Sequence, residues 1–230
     1  MTEPTDRSII TDSVGVSVAV GLYGVSFGAI ATSSGLSIVQ ACTLSLLVFT
    51  GASQFAFVGV IAAGGSALTG ALTAVLLGSR NMFYGIALAP RLELSRGQRA
   101  AAAHLVIDES TAMAVTRTTR RHARLGFFWT GLGVFTLWNL STLIGAVAGK
   151  TLGDPRTYGL DAAVGAAFLG LLWPRLQTRM GRVVALIGAG VATGLIPVTA
   201  AGAPIIIGGA VAVGLGLLWH TDTPSEGAEA

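Results

Sequence analysis

The feature that most constrains the fold is a long uncharged stretch near the start of the chain. From Ser13 to Ser79 there is no Asp, Glu, Lys or Arg. A helix of that length would extend roughly 100 Å, about three times the ~30 Å hydrocarbon core of a bilayer. The stretch therefore predicts three membrane crossings.

The composition of the whole chain supports a membrane protein. Of the 230 residues 52% are hydrophobic and 11% charged, and the mean hydropathy is +0.72. The 32 glycines predict close packing, because small residues let helices approach one another in lipid. Arginines lie in short clusters between apolar segments, which indicates topology signals rather than a nucleic-acid surface. We expect an all-α, polytopic transmembrane helical bundle in the cell membrane.

The chain divides into a polar N-terminal segment (1–13), a single transmembrane domain (14–219) and a disordered tail (220–230). The domain holds about seven apolar segments, of which six or seven cross the membrane and several are short or broken. Gly- and Pro-interrupted segments in both halves suggest an inverted repeat, an arrangement found in many transporters, although no residue string recurs.

Three segments have interruptions that affect the topology. The sequence TGAS at 50–53 lies within the apolar segment 38–63, and both a broken helix and a tilted continuous helix remain open. Residues 100–116 lie between two arginine clusters, which favours a re-entrant or interfacial helix over a true span. Two prolines in 183–219 predict two short spans joined at 198–203.

Two further expectations concern orientation and packing. Three crossings before a cytoplasmic arginine cluster at 91–99 place the N-terminus outside. Gly24 and Gly28 form a small-residue contact face of the first span. Gly145 and Gly149, with Asn139 and Thr142, form the corresponding face of the span at 126–149.

Arg80 is the exceptional residue of the apolar region. A guanidinium at the centre of a bilayer costs about 2.5–3.5 kcal/mol on insertion scales, so it should face a wet cavity or a partner. Its planar fork suits a substrate carboxylate, and the alternative is an internal ion pair with Asp108 or Glu109. Tyr84 shares its helix face, and Gln54 comes from the preceding segment.

The other polar residues have two interpretations each. Asp108 and Glu109 could exchange a proton during transport, or they could neutralise Arg117 or Arg120 at the interface. Gln54 and Asn81 could hold a polar head group or form interhelical hydrogen bonds. Four nearby apolar residues could line an apolar subsite or pack in the core, and core packing is expected for each: Phe55, Phe57, Met82 and Phe83.

Signs of an enzyme are weak. The sequence has no HExxH, CxxC or P-loop motif. His104 and Asp108 could share a helix face, but three histidines in the whole chain are too few for a metal site. We expect no catalytic residue, no metal and no cofactor.

Four strings carry a family resemblance: GVSFGAIATSSGLS, SLLVFTGASQFAFVGVIAAG, LLGSRNMFYGIALAPRL and DES at 108–110. Together they resemble the AzlC family of branched-chain amino acid permeases, over residues 14 to about 115. The resemblance implies the large subunit of an exporter of valine, leucine, isoleucine or azaleucine, with a small hydrophobic AzlD-type membrane partner. It implies a substrate site at Gly51, Ser53, Gln54, Arg80, Asn81 and Tyr84, with proton coupling or an ion pair at Asp108 and Glu109.

The function expected from the sequence is therefore transport of branched-chain or similar small hydrophobic amino acids, directed outward and coupled to protons. The alternative is a non-transporting membrane subunit that stabilises or regulates a partner transporter.

Overall fold

A computed structural model describes residues 4–151, 169 and 172–221, which are almost entirely helical. Its α-helices are α1 (Asp6–Ser33), α2 (Ile38–Val48), α3 (Ala52–Ala62), α4 (Ala67–Gly78), α5 (Arg80–Leu92), α6 (Arg96–Ala103), α7 (Asp108–Val115), α8 (Arg120–Thr151), α9 (Arg179–Leu195) and α10 (Ala203–Thr221). Within these ranges four segments are long and apolar enough to cross a membrane: α1, α4 with α5, α8, and Arg179–Val198. The all-α, polytopic bundle predicted from the sequence is confirmed.

The centre of the bundle is the parallel pair α1 and α8. The two helices run in the same direction. Asp6 near the start of α1 pairs with Arg121 near the start of α8, and Ala29 near the end of α1 lies against Gly149 near the end of α8. The glycines of both helices make this approach possible. A Cβ on Gly28 would lie 2.1 Å from the carbonyl oxygen of Thr142, and one on Gly145 would lie 2.0 Å from that of Val25. The small-residue faces predicted for both spans are confirmed.

Helices α2 and α3 form a hairpin, called hairpin A (residues 38–62), that enters the bundle and turns back. Helix α2 runs antiparallel to α8, since Ser45 donates to Thr142 at 3.2 Å and the Phe49 ring lies 4.9 Å from that of Phe135. Helix α3 runs antiparallel to α4. Both ends of hairpin A therefore lie on one side of the bundle, and its tip lies near the middle.

Helices α6 and α7 form hairpin B (residues 96–115), which enters from the opposite side. His104 at the end of α6 reaches the carbonyl oxygen of Leu46 in hairpin A at 2.9 Å. Helix α7 then returns, so that Arg117 just beyond it lies 3.6 Å from Asp12 near the start of α1. Each helix of hairpin B has eight residues, about 12 Å, which is too short to cross the membrane. The re-entrant interpretation of residues 100–116 agrees with this geometry.

The helices and hairpins up to residue 115 form two similar units that run in opposite directions. Helix α1 is followed by hairpin A, and the α4–α5 segment, which runs the other way, is followed by hairpin B. At both tips a fully buried polar residue of the returning helix accepts the turn N–H: Gln54 from Gly51 at 3.1 Å, and Ser110 from Ile107 at 3.2 Å. Discontinuous helices in inverted repeats are typical of transporters.

Of the two alternatives left open at TGAS, the broken helix is the one observed, whereas the predicted orientation of the N-terminus is wrong. Asp6 contacts Arg121, and Glu93 after α5 contacts Arg120, so these segments share the arginine side of the bundle. Residues 38–62 enter and return instead of crossing, which removes one of the three predicted crossings. By the bias of arginine toward the cytoplasm, the start of α1 lies inside.

The last two helices form an antiparallel pair, as expected from the two prolines in this region. Gly188 of α9 lies against Gly208 of α10, and Gly209 contacts Leu76 of α4. Of the disordered tail expected at 220–230, residues 222–230 lie outside the described residues, as do residues 152–168 and 170–171 of the transmembrane domain. Core packing was expected for Met82 and Phe83, and it is wrong, since each side chain is 63% exposed on the outer face of α5.

Candidate functional site

A cavity of about 320 Å³ lies where the two hairpin tips meet α1, α5 and α8. Its charged lining residues come from α5 and the tip of hairpin B, and its aromatic and aliphatic lining residues come mainly from α1, hairpin A and α8. Arg80, at the start of α5, is roughly 20 Å from either end of the 26-residue α4–α5 segment. The cavity therefore lies near the middle of the membrane-spanning region, as the sequence predicts for Arg80.

Asp108 is the central residue of the charged part of the cavity lining. Its Oδ2 lies 2.6 Å from Nη2 of Arg80, and its Oδ1 accepts a 2.6 Å hydrogen bond from the Tyr84 hydroxyl. The Arg80 and Asp108 side chains are still 31% and 27% exposed, so the pair borders the cavity. The internal ion pair considered for Arg80 is thus present, with Asp108 as the partner. Tyr84 lies behind Asp108 and does not line the cavity.

Several residues that line the cavity carry buried polar atoms with no partner. Thr50 Oγ1, Arg80 Nε, Asn81 Oδ1 and Trp138 Nε1 are buried, and none has a hydrogen-bond partner in the described part of the chain. All four residues line the cavity, as does Glu109. Since buried polar groups in proteins are normally paired, these atoms indicate a place for water or a ligand.

The tip of hairpin A brings backbone to the cavity. Phe49 has φ 34° and ψ 53°, in the left-handed region, and Gly51 has φ 50° and ψ −79°, a positive-φ conformation that favours glycine. Gly51 lines the cavity, whereas Ser53 and Gln54 are buried behind the tip. Ser53 faces α4, because its Oγ would lie 3.1 Å from a Cβ on Gly78.

The tip of hairpin B brings Ile107, Asp108 and Glu109 to the same cavity. Ser110 is fully buried behind it and donates a 2.6 Å hydrogen bond to the carbonyl of Leu105. His104, one turn earlier, packs between the rings of Phe49 and Phe135 at 5.9 Å and 5.4 Å. His104 therefore connects the two tips beside the cavity.

An aromatic and aliphatic wall encloses the rest of the cavity. Trp138 lies at its centre, with ring centroids of Tyr23, Phe27 and Phe55 at 6.3, 6.1 and 6.2 Å. Sequence reasoning missed Tyr23 and Trp138. Both carry a polar atom in the middle of an apolar span, whereas tyrosine and tryptophan of membrane helices concentrate at the interfaces. That position is the signal that could have found them.

Two expectations about charged residues are wrong. His104 and Asp108 do not share a helix face, since one ends α6 and the other begins α7. Asp108 does not neutralise an interfacial arginine, because it pairs with Arg80. Arg117 and Arg120 pair instead with other acidic residues, namely Asp12 and Glu93.

Comparison with known families gives the relationship of this site to other proteins. The family described as AzlC protein matches residues 15–152, more than half of the chain. The chain belongs to the AzlC family. All residues that line the cavity lie between Ala19 and Trp138, inside the matched range. The cavity is therefore built from the part of the chain that defines an AzlC protein.

Individual AzlC relatives agree with a membrane location. The inner membrane protein YgaZ of Escherichia coli K12 is 30% identical over 192 residues, covering 77% of each chain. An uncharacterized membrane protein of Archaeoglobus fulgidus is 34% identical over 166 residues, covering 71% of this chain and 73% of the relative. One from Helicobacter pylori J99 is 21% identical over 181 residues, covering 77% and 79%. No solved structure matches this AzlC chain.

Proposed function

We propose that the chain is a membrane transporter for small amino acids with an apolar side chain. The observation that carries the proposal is a cavity that borders the Arg80–Asp108 ion pair and is otherwise lined largely by aromatic and aliphatic residues. A zwitterionic amino acid has the matching features: a carboxylate, an ammonium group and an apolar side chain.

The ion pair offers one partner to each charge of the substrate. Arg80 can donate two parallel hydrogen bonds to a carboxylate, and Asp108 can accept from an ammonium group. Without substrate the two side chains satisfy each other, which avoids an unpaired charge in a low-dielectric site. Binding exchanges this internal pair for two pairs with the substrate.

The neutral groups around the ion pair complete the polar end of the proposed site. Thr50 and Asn81 have buried oxygens without partners, and these oxygens can accept from the ammonium group. Gly51 and Ala52 bring the N-terminus of α3 to the cavity, where the helix dipole favours a carboxylate. Gln54 holds that turn from behind.

The substrate class follows from the remaining wall. Val20, Val134 and Trp138 offer apolar surface to a side chain, and a cavity of about 320 Å³ is at the small end of ligand sites. This supports branched-chain residues such as valine, leucine and isoleucine, the class that the family resemblance implies. Outward transport and a small hydrophobic AzlD-type partner also rest on that resemblance.

The two hairpins supply a route for alternating access. Hairpin A separates the cavity from the side opposite the arginine clusters, and hairpin B separates it from the arginine side. We assign proton coupling to Glu109, because both oxygens of Asp108 already have donors. Protonation of Glu109 would change the charge of the cavity without breaking the ion pair.

Flux measurements on the purified chain in liposomes test this function. Labelled valine should be transported by the chain, alone or with a small AzlD-type protein, and unlabelled leucine or isoleucine should compete. Lysine and glutamate should not compete, because their extra charge would meet the apolar wall. Empty liposomes serve as the control. The absence of flux in both preparations would favour the non-transporting subunit.

A further inference from the structure

A groove, separate from the central cavity, runs along the outside of α1 and α8 and begins at the arginine side of the bundle. Its opening is a cavity of about 580 Å³, lined by Arg120, Arg121, Arg124 and the aromatic pair Phe128 and Trp129. The same aromatic pair lines the adjoining cavity of about 450 Å³, which continues to Leu137. The groove thus follows α8 for roughly 25 Å.

The opening of the groove has an excess of positive charge. Arg120 pairs with Glu93 and Arg121 with Asp6, but these four side chains are between 37% and 77% exposed. Exposed pairs of this kind are weak because water competes for both partners. Their guanidinium groups remain able to bind another anion.

Arg124 and the N-terminus of α8 add to the positive charge at the opening of the groove. Arg124 donates to the carbonyl oxygens of Leu92 and Glu93 at 2.7 and 2.8 Å, and no carboxylate is among these contacts. All three arginines lie in the first two turns of α8, where the helix dipole is also positive. Cations at this helix end are unfavourable by themselves, and an anion in the opening would relieve the repulsion.

The part of the groove farther from its opening is apolar and lies at membrane depth. Trp129 is 47% exposed about two turns from Arg121, which is the position of tryptophan in a membrane interface. Beyond it the groove is lined mainly by apolar side chains such as Leu132 and Leu137. A basic opening that continues into an apolar groove matches a phosphate group with an attached acyl chain.

We propose that this groove binds an anionic phospholipid of the cytoplasmic leaflet. The phosphate lies among Arg120, Arg121 and Arg124, and one acyl chain follows α8 past Trp129. A free phosphate would use only the opening and would leave the apolar groove empty. The site is separate from the central cavity and does not depend on the proposed transport function.

Thermal unfolding in detergent, with lipid added, tests the charged part of the site. Phosphatidylglycerol should raise the Tm of the wild type more than phosphatidylcholine does. The double variant Arg120→Gln with Arg121→Gln should lose more than half of that difference. A matched variant, Arg96→Gln with Arg182→Gln, removes two charges elsewhere and should keep it. An unchanged difference in the first variant would overturn the proposal.

Two further measurements distinguish a lipid from a soluble anion without relying on that variant. Inorganic phosphate or glycerol phosphate should give no comparable rise in Tm, and an equal rise would identify an anion site instead. Photoreactive phosphatidylglycerol, labelled in the acyl chain, should crosslink wild-type protein at residues 125–137. Labelling spread evenly over the lipid-facing helices would contradict a specific groove.

Discussion

The Tyr84 hydroxyl donates a 2.6 Å hydrogen bond to one oxygen of Asp108, and Arg80 contacts the other oxygen. The carboxylate is therefore fixed on both sides by residues of α5, although it belongs to hairpin B. This contact fixes the tip of hairpin B to α5, and it orients the carboxylate toward the cavity.

Tyr84→Phe removes one of the two donors to Asp108. A hydrogen bond to a charged group contributes about 1.5–3 kcal/mol, so we expect roughly a tenfold or greater loss of valine affinity. Asp108→Asn tests the partner, and the double variant should be little worse than Asp108→Asn alone, because both changes disrupt one contact. Calorimetry gives the valine affinity of the wild type, of each single variant and of the double variant. Additive losses would show that Tyr84 acts elsewhere.

Gly28→Ala tests the close packing of α1 on α8. The added Cβ would lie 2.1 Å from the Thr142 carbonyl oxygen, so the helices must separate, at a cost of about 1–3 kcal/mol. Gly15→Ala is the matched control on the same helix, since nothing lies within 4 Å of its Cβ. The Tm in detergent should fall for Gly28→Ala only. Equal Tm values in both variants would contradict the packing described for α1 and α8.

Gly51→Ala tests the turn at the tip of hairpin A. The nearest atom to the new Cβ is 3.6 Å away in Trp138, so the effect comes from φ 50° rather than from a clash. A sparsely populated positive-φ conformation costs an alanine about 1–3 kcal/mol, and we expect lower thermal stability and slower valine flux. Gly59→Ala in the same hairpin has open space and no such φ, and it should behave as wild type. A loss in Gly59→Ala equal to that in Gly51→Ala would remove the explanation by backbone strain.

His104→Ala tests the connection between the hairpin tips. Its ring nitrogen satisfies the Leu46 carbonyl, one of the last carbonyls of α2 that lack a partner within the helix. We expect faster amide hydrogen exchange in residues 46–51, with the exchange of α9 unchanged. His122→Ala, which removes a contact to Asp6 at the start of α1, away from the hairpin tips, is the control. Unchanged exchange at the tip of hairpin A in His104→Ala would exclude the connection.

Much of the fold could be predicted from local sequence. Absence of charge identified the apolar segments, the TGAS string indicated a possible interruption, and glycine spacing identified the contact faces of α1 and α8 without showing that they meet. The direction of the chain after Gly51 could not be predicted, because a broken span and a re-entrant hairpin have the same composition. That single ambiguity reversed the predicted side of the N-terminus.

The charged residues of the site could be predicted from the sequence, because they lie in apolar segments. The residues of its apolar wall could not. Arg80 and Asp108 stood out because lipid does not tolerate them, and the structure brings them together. Exposure of Met82 and Phe83 was not predictable, because side chains that face lipid and side chains in the bundle interior are equally apolar. The same similarity hid Trp138 among the other residues of its span.

The central claim is that Arg80 receives the carboxylate of an amino acid. Flux of labelled valine should be lost in Arg80→Ala while membrane insertion is retained, and Arg80→Lys should restore only part of it, because lysine lacks the bidentate fork. Arg96→Ala, on the arginine side and away from the cavity, should transport normally. Wild-type flux in Arg80→Ala would contradict the account.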